Sequence, residues 1–183
     1  RGTLLITDWG VSGPATLKLS SYAAYYLNDN DYKVNLIINY LSTDEESVRK
    51  ELGQISESQP KKQVANTPVR GITSRLWSYL LKRSGIREDI RWAELGSKGL
   101  NKLVSTLVSD DYIVDGRCRF KEEFVTAGGV SSSEVNPQTL ESKHFPGLYF
   151  AGEVLDIDAI TGGFNLQAAW STAFVVAKAL QTF

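Results

Sequence analysis

The sequence has 183 residues, 42% of them hydrophobic, and its 21 acidic and 20 basic side chains give a net charge of −1. This length and apolar content allow one domain or two small ones to bury a core. A net charge near zero excludes a global attraction to nucleic acid or anionic membranes. The single cysteine, Cys118, excludes an internal disulfide, and no apolar run is long enough to span a membrane. These features favour a cytoplasmic protein.

The first forty residues predict short β segments around one helix. Residues 2–7 form a β-like run, and Pro14 suits the first turn of a helix, where its missing N–H has no cost. Apolar residues then recur at helical spacing as far as Tyr26. From Tyr32 to Leu41 the apolar period changes to two, which predicts a strand.

Residues 42–109 predict three short helices. Thr43 and Glu46 have the spacing of a capping box at the start of the first helix. The second helix is predicted from about Thr73 to Arg83 with Gly85 as its stop, and the third from 97 to 108. Each has an apolar face, made respectively of Val48, Leu52 and Ile55; of Leu76, Trp77, Leu80 and Leu81; and of Leu100, Leu103, Val104, Leu107 and Val108.

The strand period returns between Tyr112 and Phe120, and Cys118 is expected to be a small residue of that strand. We therefore predict an α+β fold. A β-rich insert domain, residues 1–41 and 110–124, is interrupted by a helical subdomain, residues 42–109. The closing strand and helix of a ligand-binding domain, residues 125–183, follow it.

Two glycine-rich stretches in that last part indicate a ligand site. Gly128 and Gly129 follow a short apolar run, where a backbone approaches a planar ligand or simply turns. Later, residues 148–151 predict a buried strand that delivers Glu153, a hydrogen-bond acceptor for sugar-like hydroxyls, to its carboxyl end. The Gly162-Gly163 pair then precedes a long apolar helix. Its first N–H groups favour a phosphate or a ligand carbonyl, although a loose N-terminal turn explains the same pattern.

The ordered combination of these stretches resembles the YhiN-type bacterial flavoproteins, NAD(P)/FAD-dependent oxidoreductases with a glutathione-reductase-like FAD domain. The resemblance covers nearly the whole chain, including the early segment 10–15 and the helical insert. Residues that carry it are Val125-Thr126-Ala127-Gly128-Gly129-Val130, Gly147-Leu148-Tyr149-Phe150-Ala151-Gly152-Glu153-Val154-Leu155-Asp156 and Thr161-Gly162-Gly163-Phe164-Asn165-Leu166-Gln167-Ala168-Ala169-Trp170.

The resemblance implies an FAD site with three walls. Gly152 and Glu153 would lie along the ribityl and pyrophosphate part, and a second wall would flank the isoalloxazine at the helix start. A third wall would face another side of the ring system. The second wall is Gly162, Gly163, Phe164 and Asn165, and the third is Thr126, Gly128 and Gly129. Phe164 stands where the family usually has tyrosine, and Ala159 where it usually has glycine.

The family's amino-terminal Rossmann segment, with its G-x-G-x-x-G turn, has no counterpart in this sequence. Since the chain also lacks methionine, we expect an excised piece of a longer protein that binds FAD poorly by itself. The resemblance makes NAD(P)H a candidate electron donor and leaves the small-molecule substrate open.

No catalytic acid or base stands out. We expect a surface role for His144 and solvation of Asp156 and Asp158 in their loop, and no clustered His and Cys set predicts a metal site. Cys118 lacks a partner at C-x-x-C spacing, which disfavours thiol–disulfide chemistry.

A nucleic-acid-binding module is the alternative function. Residues 46–108 contain twelve basic and six acidic side chains, a net charge of +6. We favour a solvated helical surface instead, because no groove-reading motif is present. The apolar face between Leu166 and Leu180 lacks its sheet partners in this chain, so we expect a dimer or a rearrangement to cover it.

Overall fold

A computed structural model describes residues 1–117 and 125–181. It contains helices and two small two-stranded sheets, which confirms the α+β expectation at that level. None of the described helices combines the length and apolarity that a bilayer crossing requires. In chain order the elements are β1 (Leu5–Ile6), β2 (Val11–Ser12), α1 (Pro14–Tyr22), α2 (Ala24–Asp29), β3 (Lys33–Ile38), α3 (Glu45–Ser58), α4 (Ser74–Arg83), α5 (Trp92–Val108), β4 (Asp110–Asp115) and α6 (Phe164–Leu180), with 3₁₀ turns at Val64–Asn66, Ser132–Glu134 and Gly152–Val154.

The chain divides into two compact units, which we call the helical unit, residues 34–114, and the glycine-loop unit, residues 1–33 and 115–183. Strands β3 and β4 pair with each other, close to the predicted strands. The remainder of the second predicted strand, including Cys118 and Phe120, lies outside the described residues. So does Phe124, the start of the apolar run before Gly128.

The helical unit is built around one core where α3, α4 and α5 meet. Their predicted faces lie inward: Trp77 is fully buried, and its indole N–H donates to the Val64 carbonyl at 2.8 Å. Trp92, which no predicted face included, is also buried and donates its indole N–H to Thr67 Oγ1 at 2.6 Å. The buried members of this core are Val48, Leu52, Val64, Val69, Trp77, Leu80, Leu81, Ile86, Trp92, Leu95, Leu103, Val104 and Leu107.

The helix ends follow local side-chain chemistry, with one correction. Asp44, not Thr43, caps α3, because its carboxylate accepts both the N–H and the hydroxyl of Ser47 at 2.8 Å. The backbone bond from Ser47 lowers the pKa of Asp44. Gly85 stops α4 as predicted: it has φ +69°, and its N–H and that of Ile86 return to the carbonyls of the last turn.

Helix α5 begins earlier than predicted. A short turn starts at Trp92, with the Glu94 carboxylate accepting from the Arg91 N–H at 3.2 Å. Gly96, at φ +61° and ψ 171°, interrupts the helix before the predicted segment 97–108. The 3.6-residue period therefore located the continuous part of the helix, and the kink at Gly96 separates it from the first turn.

The glycine-loop unit is less regular than predicted. Ala23, at φ −98° and ψ 8°, divides the first predicted helix into α1 and α2, and residue type gave no signal for this break. The predicted buried strand at 148–151 is wrong in part: Tyr149 forms only an isolated antiparallel bridge with Glu141, and Leu148 is exposed. The turn at Phe145–Leu148 lies directly before this segment, and its pairing partner around Glu141 is short. Few interstrand hydrogen bonds can therefore form.

Candidate functional site

The two predicted glycine-rich stretches meet in the glycine-loop unit. The Val130 N–H donates to the Val154 carbonyl at 2.8 Å, and the Asp156 N–H donates to the Val130 carbonyl at 2.9 Å. These bonds form a parallel bridge between Val130 and Leu155, and Leu155 is buried. Segments separated by more than twenty residues thus run side by side.

Gly129 makes this approach sterically feasible. Its φ is +148°, and a Cβ placed on it would lie 2.6 Å from the Val154 carbonyl oxygen and 2.9 Å from the Asp156 nitrogen. Real Cβ atoms essentially never come so close to backbone atoms. A Cβ on the adjacent Gly128 would face open space. The pair therefore divides its roles: one glycine allows backbone contact and the other borders free volume.

Glu153 joins the same two stretches through its side chain. Its Oε1 atom accepts a hydrogen bond from the Thr126 N–H at 3.2 Å, and both residues are exposed. A carboxylate has about four acceptor positions, so acceptor capacity remains for ligand hydroxyls. The predicted residues Thr126 and Glu153 are brought together, while the second predicted wall lies at the start of α6.

Thr172 fixes the Gly152–Val154 turn against α6, and sequence reasoning missed it. Its Oγ1 accepts the Gly152 N–H at 2.9 Å and donates toward the Ala168 and Ala169 carbonyls at 2.7 and 3.0 Å. One hydroxyl thus satisfies a loop N–H and ties it to the helix. A threonine within a predominantly apolar helical run was the available signal.

The start of α6 leaves its first N–H groups available. Gly163 is the N-cap at φ 91°, and no side chain of the described residues caps that end. Asn165 is already engaged: its amide accepts from the Ala159 N–H at 2.8 Å and donates to the Ala159 carbonyl at 2.9 Å. The Phe164 ring is 61% exposed beside Gly162, and a Cβ placed on Gly162 would lie 3.7 Å from that ring.

The loop between these elements carries the two predicted carboxylates. Tyr25 Oη donates to Asp156 Oδ1 at 3.2 Å, and the negative charge of Asp156 raises the pKa of Tyr25. The described residues contain no group of three or more His, Cys, Asp and Glu side chains arranged to hold a metal ion. His144 lies exposed, 2.5 Å from Glu134 Oε2, as expected for a surface histidine.

A second polar cluster, in the helical unit, was also missed. Asp110 is only 4% exposed and accepts from Tyr112 Oη at 2.6 Å, from Tyr40 Oη at 3.1 Å and from Arg83 Nε. Tyr79 Oη lies 3.2 Å from Tyr112 Oη. Burial raises the pKa of Tyr40 to about 12 and also raises the pKa of Tyr112. The hydrogen bond to Asp110 raises the pKa of Arg83.

The chain is similar to three curated bacterial enzymes. It is 31% identical over 177 residues to a ribosomal RNA dihydrouridine synthase of Haemophilus influenzae, and 33% identical over 180 residues to one of Escherichia coli. It is 31% identical over 179 residues to a 3-dehydro-bile acid delta(4,6)-reductase of Clostridium scindens. These alignments cover 97%, 98% and 97% of this chain but 42%, 42% and 44% of the respective relatives, so the chain spans less than half their length.

The match to a protein family covers both units and all the glycine-rich stretches. Residues 7–179 match the family described as "HI0933-like protein Rossmann domain". Because this match covers almost the whole sequence, the chain belongs to that family.

Proposed function

We propose that this chain supplies the isoalloxazine and ribityl side of an FAD site in a flavin-dependent oxidoreductase. The observation that carries the proposal is the parallel bridge of Val130 and Leu155, which joins the two glycine-rich stretches of one unit. The family, together with the synthase and reductase names of the relatives, supports it.

The residues fit a planar cofactor with hydrogen-bond acceptors at its edge. Apart from their chain neighbours, Cβ positions on Gly128 and Gly163 would meet no atom of the described residues within 4 Å, so both glycines border open space. Phe164 offers an exposed aromatic face, and the uncapped start of α6 offers N–H donors. An aromatic face, hydrogen-bond donors and open space therefore lie within one unit.

Distinct roles follow for the protein groups. The N–H groups at the start of α6 would stabilise negative charge on a bound ring, by about 1 kcal/mol at an exposed helix end. Glu153 would accept hydrogen bonds from ribityl hydroxyls while its Oε1 atom also accepts the Thr126 N–H. Asn165 would act through the loop it holds, because its amide is bonded to Ala159. The flavin would supply the redox chemistry when bound.

The names of the relatives indicate a reaction class. A dihydrouridine synthase and a delta(4,6)-reductase acting on a 3-dehydro compound both concern a carbon–carbon double bond conjugated with a carbonyl. We propose that the full-length protein reduces such a bond, with a hydride added to one carbon and a proton to the other. NAD(P)H is the proposed source of the two electrons.

The charge of the helical unit does not favour a separate nucleic-acid module. Counted over the whole unit, residues 34–114, twelve basic side chains face ten acidic ones, a net charge of +2 instead of +6. Arg49, Arg70, Arg83 and Arg87 also form ion pairs within the described residues. The net charge of +6 applies to residues 46–108, which leave out four acidic residues of the same unit.

Flavin uptake by the full-length protein tests the proposal, with Thr172 variants as the structural probe. We expect the purified protein to show the absorption band of oxidised flavin. Thr172→Val preserves the side-chain volume but leaves the Gly152 N–H without its acceptor, so FAD affinity should fall about tenfold, or ~1.4 kcal/mol.

Thr172→Ser is the matched control, because it retains the hydroxyl and should keep near-normal affinity. We also expect the 183-residue chain to bind FAD weakly. A colourless full-length protein that takes up no added FAD would contradict the flavin proposal. Equal affinities of the valine and serine variants would contradict only the role of the Gly152–Val154 turn.

A further inference from the structure

We propose that the helical unit carries a binding site for a phosphate-type oxyanion, between the end of α4 and the last turns of α5. A shallow cavity of about 360 Å³ lies there. It is lined by Arg83, Ser84, Gly85, Lys102, Ser105 and Thr106, and no carboxylate lines it. The proposal does not depend on the flavin site, which lies in the other unit.

The Arg83 guanidinium is held in place from one side. Its Nε donates to Asp110 Oδ1 and its Nη2 donates to the Asp111 carbonyl, while Cζ lies 4.4 Å from the centre of the Tyr112 ring. The anchoring Asp110 carboxylate is itself fixed by Tyr40 and Tyr112. A guanidinium has five N–H donors, so donors remain for a ligand. Such an oriented group loses little entropy when an oxyanion binds.

Lys102 supplies a second positive charge beside Arg83. It is exposed, and its Nζ lies 4.0 Å from the position that a Cβ on Gly85 would occupy. None of the ion pairs within the described part of the chain includes it. Ser105 and Thr106 follow Lys102 at i+3 and i+4 and so lie on the same face of α5. Their hydroxyl groups can donate hydrogen bonds to phosphate oxygens. Thr106 already donates to the Lys102 carbonyl at 3.0 Å, which leaves Ser105 as the hydroxyl donor.

A simpler role for Lys102 would be to neutralise the negative end of the α4 dipole. The carbonyls at that end are already bonded, however. The N–H groups of Gly85 and Ile86 bond the carbonyls of Lys82 and Leu81 at 3.0 and 2.9 Å. The Ser84 hydroxyl bonds the Leu80 carbonyl at 2.7 Å. Because Arg83 is paired with Asp110, Lys102 is the cation that this helix end does not require.

The basic surface continues beyond this cavity. An adjoining cavity of about 270 Å³ shares Ser84, Gly85 and Lys102 and adds Lys98, together with Arg87, whose guanidinium is paired with Asp89. Lys98 and Lys102 lie four residues apart on α5 and therefore on one face. Successive phosphates of a single RNA strand would fit such a surface, and a phosphorylated small molecule would fit the first cavity alone. Both ligands present the same phosphate chemistry.

The experiment compares two variants with the same charge change. In the full-length protein, Lys102→Glu alters the cavity, whereas Lys61→Glu alters an exposed lysine of the same unit that lines neither cavity. Fluorescence anisotropy would measure binding of a labelled single-stranded oligoribonucleotide across a salt series. Calorimetry at constant ionic strength would measure inorganic pyrophosphate. Far-UV circular dichroism would establish that each variant is folded, and Ser105→Ala provides a milder second variant.

We expect Lys102→Glu to weaken binding about tenfold and to reduce the salt slope by about 1, whereas Lys61→Glu should change affinity less than about twofold. Selective loss of oligoribonucleotide binding would identify RNA phosphates as the ligand. Selective loss of pyrophosphate binding, without RNA binding, would identify a small phosphorylated compound. Equal effects of the two glutamate variants, or no binding of either probe at low salt, would overturn the proposal.

Discussion

The two units bury their apolar residues very differently. Of the fifteen buried hydrophobic side chains among the described residues, thirteen belong to the helical unit and only Val135 and Leu155 to the glycine-loop unit. Of the nineteen large hydrophobic side chains that are exposed, sixteen belong to the glycine-loop unit. The unit with the candidate cofactor site therefore has most of the exposed apolar surface and almost none of the core.

This difference shows that a regular apolar helical face can be either buried in a core or exposed. In α3, α4 and α5 the apolar residues meet one another and close a core. In α6 the residues Trp170 and Phe174 are exposed, although their spacing is just as regular. The described residues therefore leave the apolar face of α6 uncovered, whereas the helical unit closes its own core.

Truncation of two tryptophans gives the largest expected contrast between the units. Trp77→Ala removes a fully buried ring and its bond to the Val64 carbonyl, so the free energy of unfolding should fall by about 3–5 kcal/mol. Trp170→Ala removes a ring that is 69% exposed and should cost less than about 0.5 kcal/mol. Urea unfolding followed by far-UV circular dichroism measures both. Comparable losses would show that the α6 face is buried in solution.

A smaller effect is expected at the contact between the glycine-rich stretches. Gly129→Ala should destabilise the bridge by about 2 kcal/mol, because its Cβ would meet the Val154 carbonyl oxygen at 2.6 Å. Gly128→Ala, at φ +100° but facing open space, should cost only about 1 kcal/mol in backbone strain. Hydrogen exchange of the Val130 and Asp156 amides reports on this bridge directly. Unchanged protection in Gly129→Ala would contradict the steric argument.

The smallest effect concerns the partly buried tyrosines of the helical unit. A phenol with an unfolded pKa near 10 and a folded pKa of about 12, as for Tyr40, stabilises the fold below pH 10. That contribution should decline as the pH rises from about 10 to about 12. An absorbance titration of tyrosinate should show a late phase that Tyr40→Phe reduces, whereas Tyr22→Phe, which removes an exposed phenol, leaves it unchanged. A titration without a late phase would contradict the burial of Tyr40.

Sequence periodicity predicted the helical unit well, because its core comes from consecutive helices whose apolar faces meet. The stop at Gly85 and the faces around Leu52, Leu80 and Leu103 are confirmed. The kink at Gly96 and the cap at Asp44 were missed, since each depends on a local choice between neighbouring residues of similar chemistry.

The loops of the candidate site were predictable from the sequence, and the contacts between them were not. Glycine spacing located the loops, but it could not show that Thr172 anchors Gly152 or that Asn165 is bonded to Ala159. Those bonds depend on how the loops and α6 pack, and the spacing of residue types in the sequence does not reveal them. The buried cluster around Asp110 was missed for the same reason, because its members come from β3, α4 and β4 and the segments beside them.

The Asn165 side-chain amide bonds both the N–H and the carbonyl of Ala159, as a backbone peptide group does in a β-sheet. It closes the base of a short chain segment, residues 159–165, into a small ring. A ring closed in advance has already lost much of its conformational entropy, so a ligand at the start of α6 would not have to order it. The preorganisation of this loop, which includes Gly162 and Gly163, therefore resides in one amide side chain.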